Sequence, residues 1–180
     1  MRLKLSIFIA KFSALLSKKL LRRSGETIAG RVLLALYPKA ISELAKGKKI
    51  ICVSGTNGKT STTKALVSII SKLGTVATSP SGSNLERGVA AALMQKSEFA
   101  VLEVDELHLS RVIEEAKPKA VLLLNLTRDQ LHRMHEVKRV ADRWAKSASA
   151  SPETLFIGDI DDPFVALALN SAAQSLKISF

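Results

Sequence analysis

The sequence predicts an α/β fold, a mostly parallel sheet flanked by helices and preceded by a basic amphipathic helix. Three observations predict it: short apolar runs that recur from residue 50 onward, helical periodicity between them, and a glycine-bearing turn joining the first run to a helix. Near-continuous runs such as Ala120-Val-Leu-Leu-Leu suit strands covered on both faces. Their alternation with helical periods is that of parallel strands joined by crossover helices. At 180 residues and 47% hydrophobic content, the chain is long enough to bury one core.

Residues 1–49 read as a basic helical N-terminal segment. Lys4, Lys11 and Lys18 recur every seven residues, with Arg22 four further on, so a helix stacks them along one face. Leu5, Ile7, Phe8, Phe12, Leu15 and Leu16 fill much of the remainder, giving a basic amphipathic helix. Two uses stand for it: adhesion to an anionic membrane surface at the inner leaflet, or packing of its apolar side on the body of the protein. The same face could serve both. Lys4, Lys11, Lys18 and Lys19 interrupt any run long enough to span a bilayer. The apolar run at 5–10 is too short for a signal peptide, and no small-residue cleavage site follows it cleanly.

Charge is distributed unevenly. The net charge is +11, yet residues 1–49 hold 12 Lys and Arg against 2 Asp and Glu, leaving the rest nearly neutral. A nucleic-acid groove binder needs basic residues across its folded face, interleaved with aromatics for stacking. Aromatics are only 4% here, and no zinc-finger, RNP-type or basic-zipper pattern occurs, so no nucleic-acid partner is expected. The single cysteine, Cys52, excludes an intrachain disulfide and a thiolate-rich zinc site. That composition suits a reducing compartment, the cytoplasm, including the inner face of the cell membrane if the basic helix rests there.

From residue 50 six strands are predicted, at 50–54, 75–78, 99–104, 120–126, 154–158 and 175–180. Between them Ala65, Leu66, Ile69, Ile70 and Leu73 repeat at helical spacing before Gly74. Val137, Val140, Ala141, Trp144 and Ala148 repeat likewise, and 107–116 and 163–169 predict shorter helices. Right-handed crossovers place the strand C-termini and their loops along one edge, where ligands bind in open α/β sheets.

The first strand runs into Ser54-Gly-Thr-Asn-Gly-Lys-Thr-Ser-Thr-Thr, a turn in which Lys-Thr opens a helix. Unpaired backbone N–H groups and the positive end of the helix dipole make such a junction an anion site. Gly55 and Gly58 shape the loop, with Thr56, Asn57 and Ser61 completing the cradle. Lys59 is expected to reach the β- and γ-phosphates of ATP, and the Thr60 hydroxyl to ligate Mg²⁺. The strict GxxxxGK[ST] pattern is not met, because Val53 stands at its first glycine.

Gly55-Thr-Asn-Gly-Lys-Thr resembles the phosphate loop of Mur ligases and folylpolyglutamate synthases. Asn125-Leu-Thr-Arg-Asp-Gln-Leu-His-Arg, after the fourth strand, resembles the corresponding segment of the MurT proteins within the Mur ligase family. Most Mur ligases carry Asp-His there, the histidine being a metal ligand, whereas this chain has Asp129-Gln130; His132 departs from the MurT pattern. Ser81-Gly-Ser-Asn-Leu and Asp161-Asp-Pro extend the likeness, as does the segment 1–30, although Asp159 replaces the family's asparagine.

The resemblance assigns residues 50–180 to a Mur-ligase-type ATP-binding domain, expected to be incomplete. Glu103, in Glu103-Val-Asp-Glu106 at the end of the third strand, is the expected second Mg²⁺ ligand. Asp105 or Glu106 would orient water or substrate; a solvated acidic loop or helix cap is the alternative. Asn125 and Asp129 are expected at the nucleotide, and Asn84 either there or in a plain turn role. His132, His135 and Glu136 could mimic a metal cluster or form a polar turn.

The implied chemistry is that of an ATP-dependent carbon–nitrogen ligase. It activates the D-glutamate α-carboxylate of lipid II as an acyl phosphate for amidation in peptidoglycan biosynthesis. Ammonia would come from a separate glutaminase subunit, GatD in that family, since Cys52 lies inside a strand without the setting of a nucleophile. Family members continue into a zinc ribbon and a second domain that are not within these residues, so this chain is expected to be inactive alone. The alternatives are a folylpolyglutamate-synthase-like ligase, a nucleotide-binding module without ligase chemistry, or a membrane-surface adaptor with a vestigial loop.

Overall fold

The computed structural model describes residues 2–21, 25–79, 83–127 and 134–179. Three helices come first: α1 (Leu3–Leu21), α2 (Gly25–Leu36) and α3 (Ala40–Ala45). Alternating elements follow: β1 (Lys49–Ser54), α4 (Lys59–Ile70), β2 (Val76–Ala77), α5 (Glu86–Leu93), β3 (Phe99–Glu103), α6 (Leu109–Ala116) and β4 (Ala120–Leu123). The chain then forms α7 (Met134–Ser149), β5 (Leu155–Asp159), α8 (Pro163–Ser171) and β6 (Gln174–Ile178). The strands make one six-stranded sheet in the order β2-β3-β1-β4-β5-β6, with every neighbouring pair parallel.

All six expected strands are present, with shifted ends. The fourth stops at Leu123 rather than 126, because Asn125 leaves the ladder to bond the loop after β1. The second shrinks to Val76–Ala77. Helix α5 has no counterpart among the helices read from the sequence, and α2 and α3 divide a segment read there only as helical. In α5 Val89 and Leu93 are the only large apolar residues, beside Gly88, Ala90 and Ala92, so this short helix lacks a sustained i, i+3, i+4 repeat of large side chains.

Two apolar clusters define the layers. Leu66, Val67 and Ile70 of α4 pack with Val53 and Val101 on one face of the sheet. Residues of α2, α3, α5, α6, α7 and α8 pack with Ile50, Cys52, Leu102, Val121, Leu123 and Phe156 on the other. Right-handed crossovers account for this asymmetry: the chain steps from β1 to β2 in one direction and from β2 to β6 in the other, so only α4 falls on its face. On that face, beyond the reach of α4, Leu176 and Ile178 of β6 are 52% and 37% exposed.

Helix α2 lies close against α5: a Cβ on Gly30 would sit 1.7 Å from the Arg87 carbonyl oxygen, so only glycine fits. Leu33 of α2 and Ile41 of α3 are fully buried in the main cluster. Helix α1 packs on α2 through a face of small residues, where Ser6, Ala10 and Ser17 are buried. Its large apolar residues Leu5, Phe8, Phe12, Leu15 and Leu16 are instead 50–68% exposed. No described helix is long and apolar enough to cross a membrane.

Candidate nucleotide site

The order β3-β1-β4 places the ends of three sequence-distant strands side by side, and the site is assembled there. Strand β1 ends at Ser54, whose hydroxyl donates to the Val104 carbonyl at 2.8 Å and ties it to the end of β3. The next four residues form the loop. Gly55 has φ of +145° and Gly58 of +84°, backbone conformations that L side chains rarely adopt. A Cβ on Gly55 would lie 2.9 Å from the Asn125 carbonyl oxygen and 3.0 Å from Leu124 Cβ.

Asn125 holds the loop from the β4 side. Its Oδ1 accepts from the Asn57 backbone N–H at 2.9 Å, and its Nδ2 donates to the Asn57 carbonyl at 3.1 Å. The Thr56 N–H donates to the Asn125 carbonyl at 2.9 Å, and the Thr56 hydroxyl bonds Thr127. Thus Asn125, expected at the nucleotide, has its amide committed to the loop. These bonds fix the shape of the loop.

Gly58 caps α4 without a side-chain bond, and the first helical hydrogen bond runs from Thr62 N–H to the Gly58 carbonyl. The N–H groups of Gly58, Lys59, Thr60 and Ser61 have no acceptor among the described residues, and they open the helix at its positive end. The Lys59 ammonium folds back onto the carbonyls of Gly55 and Thr56, the latter at 3.1 Å, and pairs with Glu106 Oε2 at 3.2 Å. Its three protons are therefore all engaged, and a phosphate must displace one of these acceptors. Sequence reasoning did not find the Lys59–Glu106 pair, which spans 47 residues and exists only because β1 and β3 are neighbours.

Glu103 ends β3 and is only 6% exposed. Both of its carboxylate oxygens accept from the Thr60 hydroxyl, at 3.1 and 2.9 Å, and no described cationic side chain pairs with it. A buried carboxylate is costly unless it is paired or coordinates a metal. This oxygen-only pair, a carboxylate and a hydroxyl, has the donor chemistry that Mg²⁺ accepts together with phosphate oxygens and water. Beside it lies a cleft of about 160 Å³ lined by Thr60, Thr63, Lys64, Val67, Thr78, Ser79 and Glu103.

Other expected residues fall differently. Asp105 caps the turn before α6, its Oδ1 accepting from the Leu107 N–H at 3.0 Å. Asn84 touches the site through its backbone, its carbonyl accepting from the Asp105 N–H at 2.7 Å. Ser61 lies exposed on the first turn of α4. His108 lies 3.1 Å from Glu86 in a surface pair. Asp162 caps α8 through Phe164 and Val165 and also accepts from the Leu126 N–H at 2.7 Å, bracing the segment after β4. Trp144, fully buried, donates to the Glu106 carbonyl at 3.0 Å and fixes the backbone behind the Lys59 pair.

Asp129, Gln130 and His132 lie outside the described residues, as do the side chains of His135 and Glu136. Among the described residues no cluster of three or more His, Cys, Asp or Glu could hold a metal by itself. Burial pushes the Cys52 thiol up to about 12, which leaves it unreactive at neutral pH. A larger cavity of about 770 Å³ lies between α6 and α7, at the opposite edge where β4 and β5 begin.

A parallel α/β sheet with a glycine-shaped loop, unpaired helix N–H groups and a lysine–threonine pair beside a buried carboxylate is the construction of a phosphate-loop nucleotide-binding domain. The family model described as "Mur ligase middle domain" matches residues 53–180. The chain belongs to the Mur ligase family. It is 40% identical over 120 residues to the lipid II isoglutaminyl synthase (glutamine-hydrolyzing) subunit MurT of Streptococcus pneumoniae, covering 63% of this chain and 27% of that protein. To the MurT of Staphylococcus aureus strain N315 it is 31% identical over 168 residues, covering 89% and 38% respectively. The chain thus spans well under half the length of these curated relatives. In fold it is similar to MurF ligase from Thermotoga maritima, solved in complex with ADP, at a TM-score of 0.66 and 20% identity over 84% of this chain and 36% of that one. MurF from Acinetobacter baumannii gives a TM-score of 0.66 at 23% identity over 83% and 35%.

Proposed function

We propose that this chain is the ATP-binding portion of a MurT-like ligase subunit, acting in peptidoglycan biosynthesis. The observation that carries the reading is the Gly55–Thr60 loop, fastened by Asn125 through Thr56 and Asn57, with the N–H groups of Gly58, Lys59 and Thr60 open to a ligand and Glu103 beside Thr60. The likeness to the MurT subunits selects the chemistry: the D-glutamate α-carboxylate of lipid II, or a related membrane-anchored substrate, attacks the γ-phosphorus of ATP. That attack gives an acyl phosphate and ADP, and ammonia then displaces inorganic phosphate to leave the amide.

Each residue contributes a separate part. The N–H groups of Gly58 to Ser61 receive phosphate oxygens, and Lys59 exchanges Glu106 for a phosphate and offsets charge on the transferring phosphoryl. Thr60 and Glu103 would hold Mg²⁺, which supplies neutralisation of the phosphate charge. Burial of Cys52 leaves it unsuited to glutamine hydrolysis, so ammonia comes from a partner glutaminase subunit of the GatD kind.

Titration calorimetry tests the reading. The protein should bind ATP in the presence of Mg²⁺ and lose that binding in Lys59→Ala. Equal affinity of the variant and the parent would reject the site.

A further inference from the structure

We propose that α1 seats the protein in the plane of an anionic lipid surface, its exposed apolar stripe entering the headgroup boundary and its lysines meeting the lipid phosphates. The inference stands on the geometry of α1 and does not depend on the nucleotide reading.

Helix α1 is anchored to α2 by one face and bare on another. Ser6, Ala10 and Ser17 are buried, and Leu3 and Ile7 pack partly against the core beside them. Because the anchoring face is made of small side chains, the large ones are directed elsewhere. Leu5, Phe8, Phe12, Leu15 and Leu16 are 50%, 68%, 60%, 68% and 50% exposed. At roughly 100° per residue these five positions form a stripe whose centre lies roughly 150° from that of the buried face. The stripe therefore points away from the body. Two phenylalanines and three leucines in one patch are more apolar surface than a helix leaves in water without a use.

Charge selects the occupant. Lys4 and Lys11 are exposed along one border of the stripe, and the same seven-residue spacing continues in sequence to Lys18 and then Arg22. Residues 1–49 hold 12 of the protein's basic residues against 2 acidic ones. A second copy of this helix would bring a like row of lysines against the first, whereas an anionic lipid surface supplies both the apolar layer and the counter-charge. Since no described helix can span a bilayer, α1 lies along the surface, its 19 residues covering about 28 Å.

The test is sedimentation of the full chain with phosphatidylglycerol–phosphatidylcholine vesicles and with pure phosphatidylcholine vesicles, at two salt concentrations. Binding to the anionic vesicles is expected, weakening several-fold as salt is raised and falling by roughly fivefold for each lysine neutralised in Lys4→Gln and Lys11→Gln. The pair Phe8→Ser and Phe12→Ser should lose more than tenfold on the same vesicles while keeping the circular dichroism of the parent. Separately, Phe12→Trp should give a blue-shifted emission with anionic vesicles. Lys59→Ala should sediment like the parent, so a failed nucleotide site and a failed membrane site give different results. Absence of binding to anionic vesicles, equal binding to neutral ones, or an unshifted emission overturns the proposal. So does a lipid-free dimer that Phe8→Ser and Phe12→Ser convert to monomer without changing vesicle binding.

Discussion

Asn125→Ala removes the side chain that fastens the phosphate loop to β4. The alanine loses two hydrogen bonds, from Asn57 N–H at 2.9 Å and to the Asn57 carbonyl at 3.1 Å, both at the partly open rim of the site. Each is a neutral bond worth about 0.5–1.5 kcal/mol net, so about 2 kcal/mol of loop ordering is lost in total. A loop that must be reordered on binding loses that amount from nucleotide affinity, or roughly a thirtyfold rise in Kd for Mg·ATP. Calorimetric titration measures it. A parallel thermal melt should show a smaller change, because the sheet and both apolar clusters are untouched. Asn125→Asp separates two causes: it keeps the acceptor for Asn57 N–H, loses the donor, and adds a negative charge beside the phosphates, so it should bind more weakly than Asn125→Ala. An Asn125→Ala affinity within twofold of the parent would refute the claim that the clamp preorganises the loop.

Glu106→Gln frees the Lys59 ammonium from a competing carboxylate at 3.2 Å and should tighten Mg·ATP binding by up to about fivefold; weaker binding would show that Glu106 contacts the ligand instead. Gly55→Ala forces a Cβ to 2.9 Å from the Asn125 carbonyl at φ of +145°, and should cost about 1–3 kcal/mol in denaturant unfolding together with nucleotide binding. Cys52 should resist a thiol reagent at pH 8 in the folded protein and react at once on unfolding. With the folded thiol at about 12 and the unfolded one near 9.0, the folded state holds its proton over that interval. Its contribution to stability is present below pH 9 and is lost between about pH 9 and 12, which melts across that range should show in the parent and not in Cys52→Ala. Trp144→Phe, which removes the bond to the Glu106 carbonyl at 3.0 Å and leaves a gap where the five-membered ring packed, should destabilise by about 1–3 kcal/mol in the same unfolding assay.

The loop was legible because its information is local. Gly55 and Gly58 stand where the backbone needs positive φ, and Lys59 and Thr60 follow directly on the helix that presents them. The strands were legible for a similar reason, as apolar runs buried on two faces leave an unbroken mark in the sequence. Helix α5 left little mark because its packing uses alanine and glycine. For α1 the apolar content was visible, but the face chosen for packing was not. Burial follows the fit of Ser6, Ala10 and Ser17 against α2 rather than the largest hydrophobic residues.

The sequence by itself determined that an apolar strand would turn through two glycines into a lysine-bearing helix, since each of those preferences is set by a residue and its immediate neighbours. Only the tertiary structure decided that Glu103 would meet Thr60, that Glu106 would hold Lys59 and that Asn125 would fasten the loop. Those contacts depend on the strand order β3-β1-β4, which is settled by the handedness of the crossovers and the packing of whole layers.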